Sequence, residues 1–208
     1  MRNATRLIVL AALAAAGVSC GDVVRQGSSP VYLVIDLLQA TRGGGKSSTA
    51  TTNLLSDVIT NITTPDPCTP AAPCPTVFDD IATVTLRAPL KNIGSTAALA
   101  PTTNNEVTIN RIRVEYVRAD GRNTPGVDVP YAFDNVVAGT IPAGGNLALS
   151  FEIVRHVAKL ESPLVQLKNS PNIILSIAKV TIYGTDRTGN ALQATGQISI
   201  EFGNFGDF

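Results

Sequence analysis

Residues 81–92 read IATVTLRAPLKN, and their alternation decides the fold class. Val84, Leu86, Ala88 and Leu90 fall on one face; Thr83, Thr85, Arg87 and Pro89 fall on the other. A period of two belongs to a strand with one face buried and one face wet, the arrangement antiparallel sheets allow. Pro89 has no amide to donate, which places it at an edge or a bulge. The same period recurs in Leu147, Leu149, Phe151 and Ile153, and again in Leu192, Ala194, Ile198, Ile200 and Phe202. Val107 and Ile109 alternate out of phase with Ile112, Val114 and Tyr116, so a bulge is expected at Asn110-Arg111. Ile173–Tyr183 predicts a further strand with a phase shift near Ala178-Lys179. Val31–Ala40 and Leu54–Thr60 are earlier strand candidates, and 127–133 and 135–141 are short extended pieces. Asp120-Gly121, Pro142-Ala143-Gly144-Gly145 and Asp186–Asn190 supply turns between them.

One stretch departs from this rhythm. Val157, Leu160, Leu164 and Leu167 recur at three and four, and Ser162-Pro163 offers an N-cap and an N1 proline. One short helical segment is therefore expected near 160–168. Seven to nine short strands separated by Gly, Pro and Asn turns predict an all-β chain folded as a single immunoglobulin-like antiparallel β-sandwich. YGTDRTGNALQATGQISIEF, residues 183–202, resembles the last hairpin of bacterial immunoglobulin-like and fibronectin-III-like modules, where a D-x-x-G-N turn joins the final two strands. The whole chain also resembles bacterial lipoproteins of uncharacterised function. Neither resemblance implies an activity.

The amino terminus reads as an address. Arg2 and Arg6 precede an eleven-residue charge-free run, LIVLAALAAAG, from Leu7 to Gly17. A helix of that length covers about half of a ~30 Å hydrocarbon core, the size of a signal-peptide core and too short to span. The run ends in Gly17-Val18-Ser19-Cys20-Gly21, which resembles a bacterial lipobox, with Gly17 where the family has Leu. The resemblance implies removal of residues 1–19 and acylation of Cys20, with 20–30 as a lipidated tether and 31–208 as the sandwich domain. Acyl chains contribute about 0.8 kcal/mol per buried CH₂, so two or three of them anchor stably. Gly21 rather than Asp follows the cysteine, which by the same resemblance favours the outer membrane of a diderm envelope.

That processing changes the charge. The precursor balances 16 basic against 16 acidic side chains. Without Arg2 and Arg6, fourteen basic residues face sixteen acidic ones, a net charge of −2. No basic surplus is available for a phosphate backbone, so nucleic acid is excluded as a partner. Charged residues are only 15 % of the chain, and its polarity comes from 48 Ser, Thr and Asn residues, the composition of half-buried strands and their turns.

With Cys20 lipidated, Cys68 and Cys74 remain in PDPCTPAAPCP. In an oxidising compartment the pair predicts a local disulfide that stiffens a proline-rich loop. Zinc would need two further ligands, and the only histidine, His156, lies some 80 residues away. No metal and no cofactor are expected.

Few constellations carry chemistry. GGGKSST (43–49) evokes a phosphate loop, but Ala40 stands where the first glycine is required and no helix pattern follows, so a flexible hairpin loop is expected. His156 reads as a structural histidine at a strand end, since no G-x-S-x-G elbow accompanies it. Asp79-Asp80 is expected to cap or to sit in a solvated turn, with a Ca²⁺ site shared with Asp186 as the alternative. Arg111, Arg113, Arg118 and Arg122 read as a solvated strand face, with an anion site as the alternative. In the tail FGNFGDF, Phe202 and Phe205 are expected to cap the core; alternatively Phe205 and Phe208 form an aromatic hook.

The sequence thus predicts no enzyme. It predicts a lipid-anchored, extracytoplasmic, non-catalytic structural or protein-interaction module, held to the membrane by Cys20, with an envelope protein or a glycan as its partner. Phe205, Phe208, Arg111 and Arg113 are its candidate contacts. The alternative is a small-ligand or glycan-binding lipoprotein that uses the 41–76 and 93–105 loops.

Overall fold

The computed structural model describes residues 28–44, 49–91 and 100–206. The leader, Cys20, most of the tether, Lys46, residues 92–99 and Phe208 lie outside these residues. Among the described residues ten strands form three antiparallel-rich sheets. A three-stranded sheet has the order β1 (Val34–Thr41), β5 (Asp80–Arg87), β8 (Asn146–Val154). A five-stranded sheet has the order β2 (Asn53–Asp57), β10 (Ala191–Gly203), β9 (Ile174–Asp186), β6 (Val107–Val117), β7 (Phe133–Ile141). The small hairpin of β3 (Thr60–Ile62) and β4 (Cys74–Thr76) is the third.

The alternation seen in the sequence is what closes the core. Ala82, Val84 and Leu86 of β5 and Phe151 and Ile153 of β8 face Ile112, Val114 and Tyr116 of β6 and Ile198, Ile200 and Phe202 of β10 in one hydrophobic cluster. Each fully buried Val, Leu, Ile or Phe among them contributes roughly 1.5–3 kcal/mol. Phe202 meets Tyr116 edge-on, with ring centroids 5.9 Å apart. The three-stranded sheet is curled rather than flat. At one corner the Pro142–Gly145 turn carries the chain from β7 to β8, from one sheet to the other. At the opposite corner, Ala40 and Thr51 exchange two backbone hydrogen bonds of 2.8 Å. The bulge expected at Asn110-Arg111 is present as a register shift between Ile109 and Arg111.

Several expectations are corrected. β2 runs parallel to β10, an exception to the antiparallel pattern. Leu54–Thr60 is not one strand: it breaks after Asp57, whose carboxylate accepts from the Ile59 and Phe205 amides. β1 and β2 pair with β5 and β10 rather than with each other, and between β1 and β2 only the antiparallel Ala40–Thr51 bridge is hairpin-like; residues 45–48 lie outside the described residues. Residues 126–128 form a turn closed by a bridge between Pro125 and Val129, and the strand itself begins only at Phe133. β9 has no phase shift: Ser176, Ala178, Val180 and Ile182 face inward without a break, while Leu175 lies outward. The apparent slip came from apolar residues on the outer face and small ones on the inner.

The helical segment is real but divided. α1 covers His156–Leu160, and a 3₁₀ turn covers Leu164–Asn169. Between them Glu161 is extended, and Pro163 disfavours helical backbone at Ser162. The supposed apolar stripe fails for a further reason: Val157 and Leu160 are exposed, and the residue α1 buries is Lys159.

Candidate functional site

Antiparallel pairing of β5 with β8, with Asp80 opposite Val154, brings the residues just before β5 beside those just after β8. Asp79 and Asp80 therefore sit against α1. The two neighbours point different ways and do different work. Asp79 accepts from the His156 backbone amide at 2.5 Å, and its Oδ1 lies 2.8 Å from His156 Nδ1. It thereby caps a helix whose own N-cap, Arg155, offers no side-chain acceptor. Its partial burial raises the carboxyl pKa, but the His156 amide, ring and Lys159 charge outweigh this and hold it below the ordinary carboxylate value.

Asp80 turns inward. Its Oδ2 lies 2.9 Å from Lys159 Nζ, in an ion pair whose side chains are 0 % and 1 % exposed. The Ser56 hydroxyl donates to Oδ2 at 2.6 Å, and the Gly43 amide donates to Oδ1 at 2.8 Å. Burial pushes the Asp80 carboxyl up, against the pull of Lys159, Gly43 and Ser56. A buried pair of this kind is costly to leave half-made, by about 3–5 kcal/mol when one partner is removed. Close by, the Tyr116 phenol donates to the Ile153 carbonyl, and burial raises its pKa.

Gly43 and Gly44 of TRGGGK find their purpose here. A Cβ on Gly43 would stand 2.1 Å from the Asp79 carbonyl oxygen, so only glycine lets this backbone reach Asp80. Gly44, at φ +70°, lies under the Phe78 ring. The start of this loop is fastened down rather than flexible.

Beside α1 runs a groove between the 130–133 strap and the helix. Tyr131 and Val157, 60 % and 46 % exposed, stand at its rim. Phe133 forms part of its wall, with the Arg155 guanidinium 3.9 Å from the ring centroid.

The other predicted residues are scattered. Arg111 and Arg113 both reach Asp134, at 3.4 and 3.1 Å, and Arg113 also meets Glu115 at 2.8 Å. Arg111 in addition stacks 3.8 Å over Tyr183. Arg118 and Arg122 share Asp120 instead. The four arginines are two acid-bound groups, not one cationic patch. Phe205 is half-buried, and its ring lies against Gly203. Phe208 and Cys20 lie outside the described residues. Cys68 and Cys74 are bonded, with Cα atoms 5.3 Å apart, and tie the loop between β3 and β4 to the first residue of β4.

The suggested Ca²⁺ set does not assemble. Asp186 pairs opposite Val107 at the start of β6, whereas Asp80 lies near Tyr116 toward its end. Asp186 instead organises its own turn. Oδ1 accepts from the Thr188 amide, the Thr188 hydroxyl and the Asn190 amide, and Oδ2 accepts from the Asn190 side chain. Among the described residues no three His, Cys, Asp or Glu side chains gather as a metal site.

The Lys159–Asp80 pair escaped the sequence reading. The residues are 79 positions apart, and a lysine inside an apolar period looks like surface. The one available signal was the double acid directly ahead of the strongest strand. No family model matches the chain, and no curated protein is found to be similar to it.

Proposed function

We propose that this chain is a lipid-anchored, extracytoplasmic immunoglobulin-like β-sandwich that serves as a non-catalytic interaction module at the cell envelope. The observation that carries this reading is the run from Arg2 to Cys20, with its charge-free core and its Gly-Val-Ser-Cys end. The Cys68–Cys74 disulfide supports it, because such bonds persist in oxidising compartments. The facing sheets and the D-x-x-G-N turn support the immunoglobulin-like assignment. Acyl chains on Cys20 fix the domain at a membrane surface, where it meets a partner protein. Tyr131 and Val157 at the groove rim are its apolar contacts.

The full chain, recovered from membranes, is cross-linked in intact envelopes and in parallel applied to a glycan array. Cross-links from the 130–133 strap and α1 to one envelope protein, lost in Tyr131→Ser/Val157→Ser, are the expected result. Array binding without protein cross-links would overturn the proposal in favour of a glycan-binding lipoprotein.

A further inference from the structure

Lys159 and Asp80 meet away from water, with a primary amine against a carboxyl group. The carboxyl's surroundings are unlike those of an ordinary ion pair. Each oxygen has its own donor: the Gly43 amide on Oδ1 at 2.8 Å and the Ser56 hydroxyl on Oδ2 at 2.6 Å. The amine faces the oxygen that also holds the hydroxyl, 2.9 Å away. The pair is held from three directions, by β2, the loop after β1 and α1, so its approach geometry is set by the fold.

We propose that Lys159 and Asp80 condense into an intramolecular amide, a covalent cross-link between α1 and the start of β5. A proton first passes from Nζ to Oδ2, which frees the Nζ lone pair and leaves Oδ2 as a hydroxyl. The Nζ lone pair then attacks Cγ, and the carbonyl electron pair moves onto Oδ1. The Gly43 N–H already points at that oxygen and meets the developing charge, as an oxyanion donor does. Ser56 relays a second proton from the nitrogen to Oδ2, and Oδ2 departs as water when the oxyanion collapses. One C–N bond forms, one C–O bond breaks and one water leaves. No oxidant, activating group or co-reactant is required. Two features absent in bulk water favour the step: a fixed contact in place of a bimolecular encounter, and the exclusion of solvent that would otherwise keep both groups ionised.

The cross-link would tie residue 80 to residue 159 and close the whole β5–β8 segment into a covalent ring. It would resist pulling and proteolysis in a way that an ion pair cannot. This inference does not depend on the lipid anchor.

Peptide mapping tests it directly. The full chain is reduced and digested with trypsin. If the amide forms, Lys159 is no longer cleaved, and peptide 156–168 travels joined to peptide 47–87, lighter by one water than the sum of the two. Fragmentation must place the branch at Asp80 and Lys159. Lys159→Arg keeps a cation against Asp80 but has no amine nucleophile, and it is expected to fold without the link. Ser56→Ala is expected to slow maturation by about 10²-fold, read as the joined fraction at intervals after pulse synthesis. Free peptides with normal cleavage after Lys159 in the wild-type chain would overturn the proposal. So would a missing water that maps to a linear peptide, the mark of a succinimide.

Discussion

Asp186→Asn removes a charge from the turn that joins β9 to β10 while keeping the side chain's shape. In the native turn the carboxylate accepts four hydrogen bonds from Thr188 and Asn190 at 2.7–2.9 Å. Burial alone would raise its pKa, but the bonds from Asn190, Thr188 and Ser29 outweigh burial and hold it at about 2, against 3.8 ordinarily. At about 1.4 kcal/mol per pH unit, that difference makes the ionised turn worth about 2 kcal/mol. Because the folded value lies below the unfolded one, the contribution is fully present above the unfolded pKa. It is lost as the pH falls through about 4 toward about 2. Asparagine at 186 cannot ionise, and its amide group brings a donor where Asn190 already donates. Urea unfolding of wild type and variant at a series of pH values measures the difference. The gap is expected to be about 2 kcal/mol at pH 7 and to shrink steadily below pH 4. A gap that stays constant down to pH 2, or no gap at neutral pH, would refute the account of this turn.

Other perturbations probe the core and the buried pair. Phe202→Ala empties a fully buried ring site against Tyr116, and a loss of about 3–5 kcal/mol is expected in denaturant unfolding. Gly43→Ala drives a methyl into the Asp79 carbonyl and withdraws the amide from Asp80; a loss of about 1–3 kcal/mol is expected, and an unchanged unfolding midpoint would contradict the close approach. Cys68→Ser opens a ring whose cysteines are 6 apart in sequence, so the loss should be about 2 kcal/mol with the fold intact by circular dichroism.

Much of the fold was legible because strand burial is local. β5, β8 and β10 announce their inner faces through a period of two, and even the β6 bulge shows as a slip in that period. Pairing is not local. Nothing in NLLSD says that β2 will lie parallel to a strand far later in the chain, and nothing in TRGGGK says that Gly43 will press on Asp79. Face assignment fails where outer positions are apolar, as at Leu175 of β9, or where an inner one is charged, as at Lys159. A lysine enters a core only when a partner waits there, and that partner was invisible until β5 and β8 were paired. The disulfide was legible because its two cysteines are neighbours. The arginines lie on a solvated strand face, as the interleaved Glu115 and Asp120 suggested; only their partner Asp134, on the paired strand β7, was not legible nearby.

The account of what this chain does rests on its amino terminus. Mass spectrometry of the protein extracted from membranes tests it most directly. The predicted result is a chain that begins at Cys20, with a diacylglyceryl thioether on Sγ. A chain that begins elsewhere, or that carries Cys20 as a free thiol, would contradict the lipid anchor and the module built on it.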